Sequence, residues 1–227
     1  MARGTKGELR QTRRAVHFLG PFPLEPRARF PIGLLAAVVA VLVWSGIRPL
    51  EQLTWLLEVS PAMVGLAVLA FTWRQFPCTP LLYSLMAAHM ILLAVGGHYT
   101  YAKVPIGAWF AEWLHLSRNH YDRLGHFAQG LVPAMIAREI LIRLRVVSSA
   151  AWRNVFIVSL CLAISATYEL FEWVTALVLG QQSDSFLGTQ GDPWDTQTDM
   201  FCALVGAVFA LVVLTRWHNA QLRRLGV

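Results

Sequence analysis

Long apolar runs dominate this chain and leave it few ways to fold in water. A helix needs about 20 mainly apolar residues to cross the hydrocarbon core of a bilayer. Six runs approach or exceed that length, at residues 31–47, 53–73, 80–97, 121–143, 154–179 and 200–217. Only 14% of the 227 residues are charged, whereas soluble domains have about 25%. We therefore predict an all-α integral membrane protein with six transmembrane helices.

The basic residues predict the direction of these helices. If the N-terminus lies inside, 15 of the 19 Lys and Arg residues fall in inside segments. The four others are Arg48, Lys103, Arg118 and Arg123. Because cytoplasmic loops carry the excess of Lys and Arg, both termini are expected in the cytoplasm. This gives a basic cytoplasmic tail over 1–30, a six-helix membrane domain over 31–217 and a short basic cytoplasmic tail over 218–227.

The net charge of +6 does not indicate nucleic-acid binding, because much of it precedes the first apolar run. A basic tail next to a membrane helix is typical of a segment that faces anionic lipid headgroups. The partner predicted from this distribution is therefore membrane lipid, and no nucleic acid is expected.

Ionisable residues concentrate in the outer half of the predicted helices. They are Asp122, His126, Glu169, Glu172, Asp192, Asp195 and Asp199. Several of them recur at i, i+3 or i, i+4, which places each pair on one helix face. Ionisable groups are costly in a bilayer and mark functional sites by default. The loop over 180–199 contains no Lys or Arg, so its acids are expected to be unpaired and to attract a cation.

Three more ionisable residues fall in the same layer. They are Glu58, His89 and His98. Together with Asp192, they are predicted to contact the ligands of a metal without binding the metal themselves. Glu139 is excluded, because it lies 13 residues beyond His126, about 20 Å further along the helix. Its spacing to Arg143 predicts an ordinary ion pair on a helix face near the cytoplasm.

Carboxylates combined with imidazole suit a hard divalent metal such as Zn, Mn, Mg or Fe. We predict His126, Glu169, Asp195 and Asp199 as metal ligands. Asp122 and Glu172 are the predicted catalytic residues, acting as base or as a group that orients the ligands. The three cysteines lack metal-ligand spacing, so no thiolate site is expected.

The residues around this set resemble a known family. The segments are 97–101, 119–127, 138–139, 168–173 and 188–200, of which Gly191-Asp192-Pro193-Trp194-Asp195 is the most specific. They are similar to the YjdF-like bacterial inner-membrane proteins over residues 30 to 217. The resemblance implies a six-span protein of the bacterial inner membrane and carries no activity. A looser likeness to VanZ-type membrane proteins rests on a His-Phe helix paired with acids on a later helix.

Three functions remain open at this point. The first is a membrane enzyme that hydrolyses or transfers a group on a lipid or lipid-linked substrate, with a metal at the outer cluster. The second is a small cation- or proton-coupled transporter in which the acids bind the transported ion. The third is a non-catalytic scaffold or accessory protein whose polar groups only join helices.

Overall fold

The computed structural model describes residues 25–180 and 184–226, so most of the predicted N-terminal tail lies outside the described residues. All regular structure in the described part is helical, which confirms the all-α class. The helices are α1 Glu25–Ser45, α2 Gln52–Thr72, α3 Pro80–Tyr99, α4 Pro105–Trp113, α5 Tyr121–Arg143, α6 Ala150–Leu179, α7 Asp184–Leu187, α8 Asp195–Phe209 and α9 Thr215–Arg224. A π-helical segment, Ala210–Leu214, joins α8 to α9 without a break.

Four of the described helices are long and apolar enough to cross a membrane. They are α2, α3, α6 and the continuous helix Asp195–Arg224. The apolar part of α1, Arg29–Ser45, is shorter. Helix α5 has 23 residues, a sufficient length, but it carries charged residues near both ends. Its polarity is explained by its position, because it packs against α3, α6 and α8 in the middle of the bundle.

The contact between α5 and α8 depends on glycine. A Cβ atom on Gly130 would collide with the backbone carbonyl of Ala203, and one on Gly206 would collide with that of Phe127. The two helices therefore approach to backbone contact, as small residues allow in membrane proteins. Both helices begin at the same end of the bundle, which also contains the segments 100–120 and 188–194; we call it the loop end.

A second polar layer lies at the opposite, basic end of the bundle. Glu139 is fully buried there and accepts hydrogen bonds from the backbone and hydroxyl of Thr79. Its carboxylate also pairs with Arg143 at 2.9 Å and with His218 at 2.9 Å. The predicted pair with Arg143 exists, but it is not an isolated pair on one helix face, because the buried carboxylate has further partners on other elements. The carboxylate instead joins the start of α3 to α5 and α9.

The residues after 217 continue this network. Arg138 donates to His218 Nδ1 at 2.7 Å and to Asn219 Oδ1 at 2.6 Å. His218 and Leu222 are buried, and α9 extends to Arg224. The segment predicted as a short tail is therefore mostly helix, and its first turn is part of the packed core. Between the two polar layers lies an apolar core that includes Met86, Val132, Met135, Ile157 and Ala207.

Replacing Gly130 by Ala should destabilise the protein by about 2–3 kcal/mol, because the added methyl group overpacks the α5–α8 contact. Gly33→Ala is the matched control, since nothing lies within 4 Å of a Cβ built at Gly33. Unfolding of the purified variants in detergent should show a loss for Gly130→Ala and none for Gly33→Ala. Equal stability of the two variants would refute the close approach.

Candidate functional site

The first two turns of α5 bring Asp122 and His126 together at the loop end. His126 is buried, and its Nε2 lies 3.5 Å from Asp122 Oδ1, as the i, i+4 spacing predicts. Its Nδ1 lies 3.2 Å from Gln129 Oε1 and 3.7 Å from Glu169 Oε1 on α6. The imidazole therefore lies between a carboxylate of its own helix and one of the neighbouring helix.

Asp199 completes a compact group with these residues. The α5–α8 contact sets Gly130 against Ala203, and both helices run in the same direction from the loop end. One turn nearer that end, His126 and Asp199 therefore face each other. Ligand atoms of Asp122, His126 and Asp199 all lie within 4.8 Å of one another. A single ion could touch one nitrogen and two carboxylate oxygens at this point.

Two oxygens beside His126 have no hydrogen-bond partner in the described part of the chain. They are Asp199 Oδ1 and Glu169 Oε1, and both side chains are buried, with residue exposures of 2% and 7%. A buried carboxylate oxygen without a hydrogen-bond partner costs free energy unless a proton or a cation satisfies it. These oxygens indicate that the group is able to bind a proton or a cation.

Two acids just before and at the start of α8, Asp192 and Asp195, are paired with arginines, so the expectation that the loop acids are unpaired is wrong for these two. Asp195 Oδ1 lies 2.6 Å from an Arg118 nitrogen, and Asp192 Oδ2 lies 2.5 Å from one of Arg123. Asp192 also accepts the backbone N–H of Trp194 at 2.9 Å. That hydrogen bond and the two arginines lower the pKa of Asp192, so it stays ionised at neutral pH.

These ion pairs change the predicted roles of three acids. Asp195 was predicted as a metal ligand, and its Oδ1 accepts a hydrogen bond from Arg118 at 2.6 Å. Asp122, predicted as a catalytic residue, takes its place in the compact group. Asp192, expected behind the ligands, anchors the loop instead. The signal for this arrangement was present in the sequence, because Arg118 and Arg123 are two of only four basic residues assigned to outside segments.

A reciprocal pair of amides joins the two loops and was missed at the level of sequence. The backbone N–H of Asn119 donates to Gln190 Oε1, and Gln190 Nε2 donates back to the carbonyl of Asn119. Asn119 Oδ1 also accepts the N–H of Tyr121, the first residue of α5. The start of α5 is thereby fixed against the loop that precedes α8.

A cavity of about 690 Å³ adjoins the compact group. Helices α2, α3, α5 and α6 line it, and Asp122 and His126 form part of its wall. Glu58, His89 and Glu172 line it as well, so three further predicted residues share one space. Glu58 is buried and accepts a hydrogen bond from the hydroxyl of Tyr168 at 3.3 Å.

His98 does not belong to this group. Its Nδ1 lies 2.9 Å from the backbone carbonyl oxygen of Ser45, and its ring stacks on Trp44 with centroids 4.5 Å apart. The contact ties α3 to the end of α1, away from the residues that line the cavity. The placement of His98 behind the site, predicted from depth alone, is therefore wrong, because depth does not specify the helix face.

Comparison with known proteins agrees with this architecture. Residues 30–220 match the family described as "Predicted membrane protein (DUF2238)". The chain belongs to this family. It is 54% identical to the inner membrane protein YjdF of Escherichia coli strain K12 over 187 aligned residues. The alignment covers 82% of this chain and 90% of YjdF. No solved structure matches the chain.

The DUF2238 match confirms the resemblance that the motif residues carried, and it identifies a multi-pass protein of the bacterial inner membrane. It also spans all the residues of the compact group and the cavity.

Replacing Arg118 by Ala should destabilise the protein by about 3 kcal/mol, because the buried carboxylate of Asp195 loses its partner at 2.6 Å and keeps only Arg123 at 3.9 Å. Lys103→Ala is the control, since Lys103 is exposed and makes no ion pair in the described residues. Thermal unfolding in detergent measures both variants. A loss restored by the double variant Arg118→Ala/Asp195→Asn would show that the pair is responsible, whereas a neutral Arg118→Ala would contradict it.

Proposed function

We propose that this protein is a membrane-embedded, metal-dependent hydrolase or group transferase that acts on a lipid or lipid-linked substrate. The observation that carries the proposal is the convergence of Asp122, His126 and Asp199 beside a cavity, with buried carboxylate oxygens left unpaired. A purely structural network should satisfy its own members. The network around Glu139 does so, and this one does not.

The donor set suits a divalent ion of the hard or borderline class. Imidazole and carboxylate are ligand types that Zn, Mn and non-haem Fe accept, whereas Mg prefers oxygen alone. Glu169 lies 3.7 Å from His126 and supplies a fourth donor or a group that orients the imidazole. An ion bound there would supply a Lewis acid that polarises a carbonyl or phosphoryl oxygen and activates water.

The residues of the cavity have separate roles in this proposal. Asp122 and His126 form both part of the metal group and part of the cavity wall, so a substrate in the cavity reaches the metal directly. Glu172 lines the same space and is the proposed general base. Asp195 and Arg118 hold the start of α8 so that Asp199 stays in place.

The position of the cavity favours a substrate from the bilayer. Its walls include apolar residues of α2 and α6, two helices with membrane-spanning length. Leu160 and Phe171 line it and remain more than 40% exposed, so the cavity opens at the apolar surface of the bundle. A water-soluble substrate would have to enter through this surface.

The apolar core supports an enzyme over a transporter. An ion path needs polar groups at successive depths. The loop-end group and the Glu139 network are instead separated by packed residues such as Met135 and Ile157, which are fully buried. The Glu139 network is closed by its own hydrogen bonds and offers no obvious relay.

We further propose six spans with both termini in the cytoplasm, which adds α1 and α5 to the four apolar helices. The excess of Lys and Arg at the basic end supports this direction. It puts the metal group near the periplasmic surface, at the depth of the outer-leaflet headgroups.

Purified protein should contain about one equivalent of a divalent transition metal, because His126 and two carboxylates bind such ions tightly. The double variant Glu169→Gln/Asp199→Asn should lose it. Metal content is measured by mass spectrometry of the purified protein, with Glu112→Gln as the control in an exposed position. Metal-free wild type after reconstitution with Zn, Mn and Fe, or unchanged content in the double variant, would refute the metal site.

The topology predicts which residues an impermeant maleimide reaches in intact cells. In a background with Cys78, Cys161 and Cys202 replaced by Ala, a cysteine at Glu112 should be labelled. A cysteine at exposed Arg145 should be labelled only after the membrane is permeabilised, since it lies at the basic end. Labelling in the reverse pattern would show the opposite orientation.

A further inference from the structure

The cavity has a polar part and an apolar part, and the polar part is acidic. Its ionisable lining consists of Glu58, His89, Asp122, His126 and Glu172, and no Lys or Arg lines it. The proposed metal group accounts for Asp122 and His126, and Glu172 is the proposed base. Glu58, on the opposite wall formed by α2, is left without a role.

Glu58 is a buried carboxylate without a cation. Its residue is 4% exposed, the hydroxyl of Tyr168 donates to it at 3.3 Å, and no Lys or Arg nitrogen of the described chain lies within 4.0 Å. A buried carboxylate is costly unless a proton neutralises it or a positive charge compensates it, and a ligand ammonium would allow it to stay ionised. Tyr101, Tyr168 and Phe171 line the same cavity, and aromatic faces attract ammonium groups.

The apolar part of the cavity suits a hydrocarbon chain. Pro61 on α2 and Leu160, Ala163 and Ile164 on α6 line it, and none of them is buried. A volume of about 690 Å³ lies within the roughly 300–1,000 Å³ range of ligand sites. It accommodates a headgroup and the beginning of one chain, and the remainder would follow the surface between α2 and α6 into the bilayer.

An aromatic residue of α7 packs against two residues that line the cavity. The ring of Phe186 on α7 packs against Phe171 and Tyr168, with centroids 6.0 Å and 6.4 Å apart, and Phe186 is 3% exposed. Entry from the water phase is therefore obstructed, while the side between α2 and α6 is open. An amphiphile that is already in the bilayer has the shorter path.

We propose that the cavity binds a membrane phospholipid with an ethanolamine headgroup, with its ammonium at Glu58 and one acyl chain between α2 and α6. This inference rests on the proposed function, because it names the substrate class of the same site. The phosphate of the phospholipid would lie toward Asp122 and His126, where the proposed metal compensates its negative charge. A zwitterionic headgroup thus matches a site with an acidic wall on one side and a cation on the other.

Native mass spectrometry of the full chain in detergent tests the headgroup. Phosphatidylethanolamine should bind about tenfold more tightly than phosphatidylglycerol with the same acyl chains, as expected for one charge-assisted hydrogen bond. Glu58→Gln should remove this preference and leave phosphatidylglycerol binding unchanged. Glu58→Asp, which keeps the charge, should retain part of the preference, and Glu112→Gln should retain all of it.

A second set of variants tests the binding site of the acyl chain separately from that of the headgroup. Ala163→Trp fills the apolar part of the cavity and should weaken binding of both lipids, whereas Val178→Trp, on the exposed surface of α6 outside the cavity, should not. Free phosphoethanolamine should not compete at the same concentration, because it lacks the chain. Competition by phosphoethanolamine would overturn the proposal that the apolar part of the cavity binds an acyl chain.

Metal analysis of the same samples keeps this inference distinct from the metal proposal. Glu58→Gln should keep its metal, and Glu169→Gln/Asp199→Asn should keep its preference for the ammonium headgroup. Equal binding of the two phospholipids by metal-containing wild type, unaffected by Glu58→Gln, would overturn the inference and leave the metal site standing. Conversely, wild-type protein that contains no metal but still prefers phosphatidylethanolamine would overturn the metal site and support the lipid inference.

Discussion

The close approach of α5 and α8 is the constraint on which the rest of the site depends. Two glycines allow backbone contact between helices that run in the same direction, and this contact places His126 opposite Asp199. In lipid, such contacts are stabilised by packing and by hydrogen bonds between helices. The ion pairs of Arg118 and Arg123 then fix the start of α8. The acids thus converge because the helices are held by other residues, at some cost in electrostatic free energy.

The two polar layers of the bundle differ in how completely they are satisfied. At the basic end, the carboxylate of Glu139 has a hydroxyl, a backbone N–H, an arginine and a histidine as partners. At the loop end, Asp199 and Glu169 each retain an unpaired oxygen. Satisfied buried networks stabilise a fold, whereas unsatisfied ones need an explanation. This difference supports a structural role for the first layer and a binding role for the second.

The sequence predicted the helices well, because long apolar runs allow few alternatives in a bilayer. Helix periodicity also predicted the pairing of Asp122 with His126. Depth along a helix, however, did not reveal which side each group faces, and His98 was misplaced for that reason. Glu139 was predicted as a simple ion pair on one helix face because its partners Thr79 and His218 are 60 and 79 residues away in the chain.

The environment of the loop acids depends on contacts between loops. Asp195 was predicted to bind metal, and its Oδ1 is paired with Arg118, which is 77 residues away. The two outer arginines were visible in the sequence, but no local pattern shows which acids they pair with. The same limit applies to Glu58. That it has no basic partner is visible only once α2, α3, α5 and α6 are assembled around it.

Anomalous X-ray diffraction from crystals of the purified protein tests the central claim most directly. The metal proposal predicts one strong anomalous peak between Asp122, His126 and Asp199. Its distances to the ligand nitrogen and oxygens should be about 2.0–2.2 Å. Side chains converging there without a peak, after growth with Zn, Mn or Fe, would contradict the metal site. Side chains of the three residues pointing apart would contradict the site itself.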